Sequence, residues 1–341
     1  MELDTVMVGD CLSITAGLPD SSVNLIVSDW PYYRVKSEDW DRQWKTPAEY
    51  LDWIGAVCEQ YRRVLAPNGS LYAFASPEMA ARVECVVREW FEVVNFITWA
   101  KPEFSTKAEM FDKGTMRSYF PSSERIIFAE HYGADSQAKG VSGYGAKCDE
   151  LHGFVFEPLR AYLDGERRRA GLRIGDMNLV CGTTFNQRNT NTCPIQWCMI
   201  TEKKYKNLQL AYPGFFIRSY KDLRAEYEDL RAEYEDLRRP FNASIDAPYT
   251  DVWTFPTVGT YPGKHPCEKP LALIEHIINM SSRPGDLVCD FFMGGGTTAV
   301  AAMRTGRRWF GCDVSPDYVR LANEQIEKTR LEMSQLKMPF T

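Results

Sequence analysis

Short apolar runs alternate with amphipathic stretches over the first third of the chain. Val6–Val8, Val23–Val27, Ser70–Ala75, Val93–Trp99 and Arg125–Ala129 are rich in β-branched and aromatic residues. Gly, Pro, Asn or Asp bound most of them, which is the pattern of buried strands. Between them, Tyr50, Ile54, Val57, Tyr61 and Leu65 recur at a spacing of three and four, and Thr46-Pro47 supplies a cap and a first-turn proline for that helix. Pro67-Asn68-Gly69 reads as a turn into the next strand, and further helices are predicted up to Gly17 and from Pro77 to Trp90. The same rhythm returns after Phe255. It predicts helix Leu271–Met280, strand Leu287–Phe291, helix Ala299–Arg304, strand Trp309–Cys312 and a closing helix Pro316–Leu336. Strands alternating with helices of about 10–15 residues predict an α/β protein with a mostly parallel, Rossmann-like sheet.

The middle of the chain has another texture. Gly140–Gly145 is glycine-rich and reads as loop. Phe156–Ala170 is an amphipathic helix bearing Arg167 and Arg168, Gly171-Leu172 breaks it, and Arg173–Val180 forms a second short helix, the outline of a helix-turn-helix. Thr183–Thr192 follows, nearly all polar, with Asn186, Gln187, Arg188 and Asn189. Gln196 and a helix from Thr201 to Leu210 complete the segment. Between Arg160 and Arg218, ten Lys and Arg stand against four Asp and Glu. Asn, Gln and Arg make paired hydrogen bonds to base edges, and Lys and Arg hold phosphates, so Arg167, Arg168, Asn186, Gln187, Arg188, Asn189 and Gln196 are candidate DNA contacts. A solvated polar loop beside a small helical subdomain is the competing reading. Tyr220–Pro240 then repeats with a period of seven, and Tyr220, Leu223, Tyr227, Leu230, Tyr234 and Leu237 form a helical stripe that Pro240 must end. That stripe needs a partner. A second copy, giving a homodimer, is favoured slightly over the body of its own chain. The expected division is 1–130 and 251–341 for one catalytic domain, with 131–250 inserted between its parts.

Composition bounds the remaining choices. At 341 residues, 44% hydrophobic and 25% charged, the chain is an ordinary globular protein of one large core or two domains. No apolar run reaches the ~18 residues of a membrane span, and no secretory signal is visible at the start. The 10 Cys include no Cys-x-x-Cys pair, which argues against a disulfide framework or a zinc site and for a reducing cytoplasm. A net charge of −6 disfavours a uniformly basic protein without excluding a local basic face.

Two segments carry candidate chemistry. Ser28-Asp29-Trp30-Pro31-Tyr32 closes the strand Val23–Val27, at the strand end where open α/β sheets bind ligands. The Asp29 carboxylate and a neighbouring backbone carbonyl can both accept from one amino group, and Tyr32 offers a face for stacking. A planar ring bearing an exocyclic NH2 would need those features. A plain polar turn would look similar in isolation. Near the other end of the chain, strand, Met293-Gly294-Gly295-Gly296-Thr297-Thr298, helix, strand and Asp313 follow the nucleoside-cofactor arrangement, with Asp313 lying 23 residues after Asp290. No Lys-Ser/Thr follows the glycines, which disfavours a phosphate loop, and Gly-x-Gly-x-x-Gly is missing, which disfavours a dinucleotide. S-adenosylmethionine fits better.

With these pieces in order, the chain resembles a β-class DNA amino-methyltransferase, the adenine-N6/cytosine-N4 type whose catalytic motif precedes its cofactor motif. The resemblance rests on Gly9-Asp10-Cys11, the Asp29 tetrad, Arg63–Ser70, His265–Pro270, Asp290–Thr298 and Gly306–Tyr318, roughly residues 1–130 and 251–330. It implies a Rossmann-like S-adenosylmethionine-dependent sheet with an inserted, mainly helical target-recognition domain. It implies Asp29 accepting from the target amine, the carbonyl beside Pro31 as second acceptor, and Tyr32 stacked on a flipped base. Asp290, Phe292, Gly294, Gly296 and Thr298 would surround the methionine part of the cofactor. Asp313 would hold its ribose and Asp10 with Cys11 its adenine, while Lys269 lies in the segment closing over the methionine. The implied partner is double-stranded DNA in a bacterial or phage setting, with a restriction partner or an orphan role both open. Trp30 and Phe291 stand where the family usually has Pro, and Gly295 where it has a small polar residue. The expected activity is adenine-N6 methylation. Cytosine-N4 methylation, a catalytically weak DNA-binding homologue, and a methyltransferase acting on RNA or a small amine are the alternatives.

Overall fold

The computed structural model describes residues 2–35, 41–102, 114, 117–119, 121–132, 144–181, 197–243, 250–259, 261 and 264–336. The chain divides into two compact units, Met1–Ala134 with Arg239–Thr341, and Asp135–Arg238. The first is built on an eight-stranded sheet of β1 (Thr5–Val8), β2 (Val23–Ser28), β3 (Leu65–Ala75), β4 (Glu92–Ala100), β5 (Ser123–Glu130), β6 (Val252–Thr254), β7 (Leu287–Asp290) and β8 (Arg308–Asp313). Their order is β1-β8-β7-β2-β3-β5-β4-β6, with β5 antiparallel to both neighbours and the other pairs parallel. A central strand of such a sheet is covered on both faces, and β2 contributes to a core on each. Val23 and Ile26 face a core shared with α1 (Cys11–Ala16), α2 (Pro47–Val64) and α3 (Ala80–Trp90). Leu25 and Val27 face a second core, formed with helices Leu271–Ser281, Thr297–Arg304 and Pro316–Leu336.

Local chemistry sets the edges of these elements. Thr46 caps α2 by accepting from Glu49 N–H (3.2 Å), and the Glu49 carboxylate accepts from Lys45 N–H (2.9 Å), a reciprocal cap. The α2 stripe buries Tyr50, Ile54, Val57 and Tyr61, each worth about 1.5–3 kcal/mol on transfer from water. Pro67-Asn68-Gly69, expected as a turn, is instead carried inside β3. Val23 pairs with Leu65 and Leu25 with Ser70, so the extra residues bulge out without ending the strand. Two elements were not foreseen: the short edge strand β6, and a helix Tyr144–Val155 that begins inside the expected glycine-rich loop.

The second unit is helical among its described residues. Helices Glu157–Arg169 and Ile174–Cys181 meet at Gly171, whose φ of 68° is left-handed. Gly171 N–H donates to Arg168 and Leu172 N–H to Arg167, a Schellman stop that satisfies the last carbonyls. The heptad helix Tyr220–Leu237 does not wait for a second copy. Leu223 is buried, and Tyr220, Tyr227, Leu230 and Tyr234 pack on Phe156, Leu159, Trp197 and Tyr205 of the same unit. Only Leu237 of the stripe stays exposed, so the expected self-association arm loses its basis. The far boundary of this unit also moves. The sheet unit resumes at Arg239, whose guanidinium pairs with Glu130 (3.3 Å), and Asn242 N–H donates to the Met280 carbonyl (2.8 Å). No described helix is long and apolar enough to cross a membrane, and no described group of His, Cys, Asp and Glu is arranged to hold a metal.

Candidate active site

The strand order brings the two chemistry-bearing segments together. β2 and β7 are parallel neighbours, Leu25 against Val288 and Ile26 against Cys289, so the chain leaves the sheet side by side after Ser28 and after Asp290. β7 runs beside β8 and β8 beside β1, with Asp290 opposite Gly311 and Asp313 opposite Val8. Asp29, Asp290, Asp313 and Asp10 therefore stand at or just past the carboxyl ends of adjacent strands. At about 4.8 Å per strand the row extends roughly 15 Å. Sequence order reverses between β7 and β2, the point at which doubly wound sheets bind ligands.

In the half of the row beside the glycine turn, several expected ligand contacts first hold the protein itself. Asp10 caps α1, accepting from Leu12 and Ser13 N–H at 3.1 Å, and Cys11 is buried behind it with its thiol pushed up to about 12 by burial. Asp313 accepts from Gly294 N–H and Ser315 N–H, both at 2.9 Å, tying the glycine turn to β8. Asp290 accepts from Phe292 N–H (2.9 Å) and from the Thr298 hydroxyl (2.6 Å). Burial lifts the Asp290 carboxyl to about 7, and the charges of Asp29 and Asp313 add in the same sense. Its hydrogen-bond donors are neutral, and no described cation pairs with it. The donor set therefore suits a ligand that offers hydroxyls and positive charge, as S-adenosylmethionine does.

The glycines are needed for backbone reasons. Gly294 (φ 50°) and Gly296 (φ 87°) are left-handed. A β-carbon on Gly296 would lie 3.0 Å from Cα of Ala322, so this glycine serves helix packing as well as the turn. Gly311 on β8 was not singled out from sequence, yet a β-carbon there would collide with the Asp290 carbonyl and Met293. Phe292 meets Trp53 of α2 edge to face at 5.7 Å, part of an aromatic group with Trp44 and Tyr50. His265 packs its ring on Tyr318 (4.3 Å), and burial together with the Lys269 and Lys264 charges lowers its pKa to about 4, leaving it neutral near pH 7.

The half of the row around Asp29 is a small ionic network. Lys269 Nζ lies 2.5 Å from Asp29 Oδ2 and 3.7 Å from Glu124 Oε2. Tyr32 donates its hydroxyl to Glu124 Oε2 (3.0 Å), and Lys101 pairs with Glu124 Oε1. Lys269 thus reaches the Asp29 carboxylate itself, a placement its motif did not reveal. Burial opposes the Lys269 ammonium, but Asp29 and Glu124 outweigh that and raise its pKa above the ordinary lysine value. Burial also raises Asp29, Lys269 opposing and Glu124 reinforcing, with a net upward shift. For Glu124 burial acts upward, and Lys269 and Lys101 reverse it to a net lowering. Trp30 is only 1% exposed and belongs to the core on the α1–α3 face, its indole N–H buried without a partner among the described residues. Its ring is structural.

Of the candidate DNA contacts, Asn186, Gln187, Arg188, Asn189 and Gln196 lie outside the described residues. Arg167 is built into the helical turn, donating to Asp164 Oδ1 and the Leu172 carbonyl, both at 2.8 Å. Arg168 pairs with Asp164 Oδ2 (2.8 Å) while its side chain remains 68% exposed.

A Rossmann-like sheet with a glycine turn and an acidic tetrad at adjacent strand ends defines a methyltransferase-type α/β protein. The sequence profile of the DNA methylase family matches residues 23–324, and the chain belongs to that family of N6-adenine/N4-cytosine DNA methyltransferases. It is 54% identical to the type II methyltransferase M1.MboII of Moraxella bovis over 329 residues, covering 95% of this chain and 96% of that protein. It is 24% identical to the DNA adenine methyltransferase YhdJ of Escherichia coli (strain K12) over 330 residues, covering 96% and 83%. The solved PvuII cytosine-N4-specific DNA methyltransferase covers 96% of this chain and 93% of its own at 15% identity, with a TM-score of 0.49.

Proposed function

We propose that this DNA methyltransferase modifies the N6 amino group of adenine in double-stranded DNA, with the target base turned out of the helix. The observation that carries the reading is the strand pairing of β2 with β7, which sets the Asp29 acceptor beside the Asp290 glycine turn. S-adenosyl-L-methionine, when bound, supplies an electrophilic methyl group. The chain's own work is to present the amine. That nitrogen is a poor nucleophile because its lone pair is delocalised into the ring. Lys269 engages Oδ2 of Asp29, leaving Oδ1 to accept from one amine proton while the carbonyl beside Pro31 accepts from the other. Two acceptors favour a pyramidal nitrogen whose lone pair can attack in line, so positioning and electrostatics carry the acceleration. The raised affinity of Asp29 for protons also suits it to receive the one that the amine must lose. Tyr32 stacks on the extruded base and offsets an unstacking cost of roughly a few kcal/mol. Asp290 and Asp313 would hold the cationic and ribose parts of the cofactor. Arg168 and the polar 183–192 segment serve DNA contact.

Adenine is preferred because Asp29 matches the acid of the adenine enzymes that the chain resembles and because the Escherichia coli relative is named for adenine. The M1.MboII likeness favours a restriction-linked role. The test is incubation of the protein and methyl-labelled cofactor with duplex DNA, followed by nucleoside analysis. Labelled N6-methyladenine is expected, and it should disappear in Asp29→Ala. Label in N4-methylcytosine, or full labelling by Asp29→Ala, would overturn the base or the residue assignment respectively.

A further inference from the structure

We propose that Glu124 is a positioning residue for the transfer, holding the stacking ring of Tyr32 and the ammonium partner of Asp29 in one geometry. The inference rests on the methyl-transfer reading above. Glu124 lies near the start of β5, opposite Trp99 of β4, and its carboxylate gathers donors from separate parts of the chain. Tyr32 arrives from the end of β2, Lys101 from the end of β4 and Lys269 from the segment before helix Leu271–Ser281. A phenol bonded at its hydroxyl loses the freedom to swing its ring. The face of Tyr32 is thus fixed before a base arrives, and Lys269 Nζ sits 5.4 Å from its centroid.

The second effect is on charge. Lys269 lies between two carboxylates, 2.5 Å from Asp29 and 3.7 Å from Glu124, so Asp29 does not have the ammonium to itself. The groups facing Asp29 are Lys269, Glu124 and Tyr32, with Asp290 across the neighbouring strand and Tyr50 on α2. Lys101 stands behind Glu124, and Cys267 and His265 lie near Lys269. Sharing the cation leaves Asp29 a better acceptor than it would be in an isolated pair.

Glu124→Gln separates the two roles. The amide oxygen still accepts from Tyr32, while the negative charge is gone and Lys269 turns wholly to Asp29. Carbon-13 carboxylate NMR, with the Asp29 signal assigned through Asp29→Asn, is expected to show Asp29 titrating at lower pH than in the unaltered protein. The acid limb of kcat/KM for duplex DNA should move the same way, with KM for DNA held within about twofold. Glu124→Ala also frees Tyr32, so KM rises and kcat falls by about a hundredfold. Should Glu124→Gln fail to fold for want of a partner to Lys101, the charge-matched Lys101→Gln/Glu124→Gln variant carries the same titration test. An Asp29 signal that stays put or moves upward overturns the proposal. A protein that labels no DNA would sink the methyl-transfer reading, while the NMR titration still decides the role of Glu124.

Discussion

The contact between Lys269 and Asp29 gives the sharpest test of the site's electrostatics. Nζ and Oδ2 are 2.5 Å apart, and the side chains are 8% and 19% exposed, so solvent screens them little. With charge centres about 4 Å apart and an effective dielectric constant of about 20, the gross attraction is about 4 kcal/mol. Desolvation offsets much of this while the pair is intact. Removing one partner forfeits the attraction and strands the other charge, at a cost of about 3–5 kcal/mol. Lys269→Met should reach that range, because it leaves Asp29 and Glu124 facing each other without their shared cation. Asp29→Asn should cost less, since Glu124 still answers the ammonium. The double variant should be no worse than Lys269→Met, so the coupling is at least the cost of Asp29→Asn, about 1.5 kcal/mol for a hydrogen bond to a charged group. Urea unfolding near pH 7.5, with equal slopes confirming comparable transitions, measures all four corners of the cycle. The sign of the pH dependence fixes that choice. Lys269 is raised, so its contribution is complete below the ordinary lysine range and is lost only as pH climbs through its folded value. Glu124 is lowered, so its share is present above the ordinary carboxylate range and is lost on acidification through its folded value. Both contributions are whole at neutral pH. A coupling below about 0.5 kcal/mol, the value of an exposed ion pair, would refute the reasoning.

Asp290, raised to about 7, favours the folded state below the unfolded aspartate range of about 3.9 and loses that contribution as pH rises through 7. Without ligand the protein should therefore gain stability from this group between pH 8 and pH 6, and Asp290→Asn should flatten that slope in urea titrations. By the same logic, binding of S-adenosyl-L-methionine near pH 7 should release protons, seen by calorimetry as a binding enthalpy that depends on buffer ionisation and is abolished in Asp290→Asn. Gly296→Ala combines a left-handed cost of about 1–2 kcal/mol with a β-carbon 3.0 Å from Cα of Ala322, for a loss of about 2–4 kcal/mol by denaturant unfolding. Gly306→Ala, at φ 74° with open space around it, should lose only the first share. Leu223→Ala should destabilise the helical unit by about 2–5 kcal/mol without changing the sedimentation of the protein, because that leucine is buried in its own chain.

Periodicity alone located most of the elements, since each buried face leaves its spacing in the chain. The failures share a cause in context. Pro67-Asn68-Gly69 has turn chemistry, and only the neighbouring strand decides that it becomes a bulge. β6 is three residues long, too short for an alternation to register. The heptad stripe was clear, but a stripe does not name its partner, and here Phe156, Trp197 and Tyr205 supply it. In the site, Asp29 and the glycine turn were legible because each couples a residue type to a strand end. Glu124 was not: it reads as the polar lip of an ordinary strand, and its importance depends on Lys269 and Tyr32 arriving from distant segments. The motif of Lys269 points to the cofactor side and is silent on Asp29, which lies 240 residues away in sequence and one hydrogen bond away in space.

These placements divide the acidic row into two electrical regimes. Around Asp29 the charges balance, with Lys269 and Lys101 set against Asp29 and Glu124. Around Asp290, Asp313 and Asp10 the described hydrogen-bond donors are backbone N–H groups and hydroxyls. A ligand carrying positive charge gains most from the unbalanced half, where it answers Asp290 and Asp313, two carboxylates that burial has made reluctant to ionise. On the proposed reading, a neutral ring bearing an amine gains most from the balanced half, where the Asp29 carboxylate is oriented by Lys269. The seam between β2 and β7 lies between those regimes, so the same topology that joins the segments also sorts their ligands. Lys269 and Lys101 keep the two halves different. Neutralising both lysines should therefore raise the Asp29 carboxyl further and blur the preference for a neutral base over a cationic one.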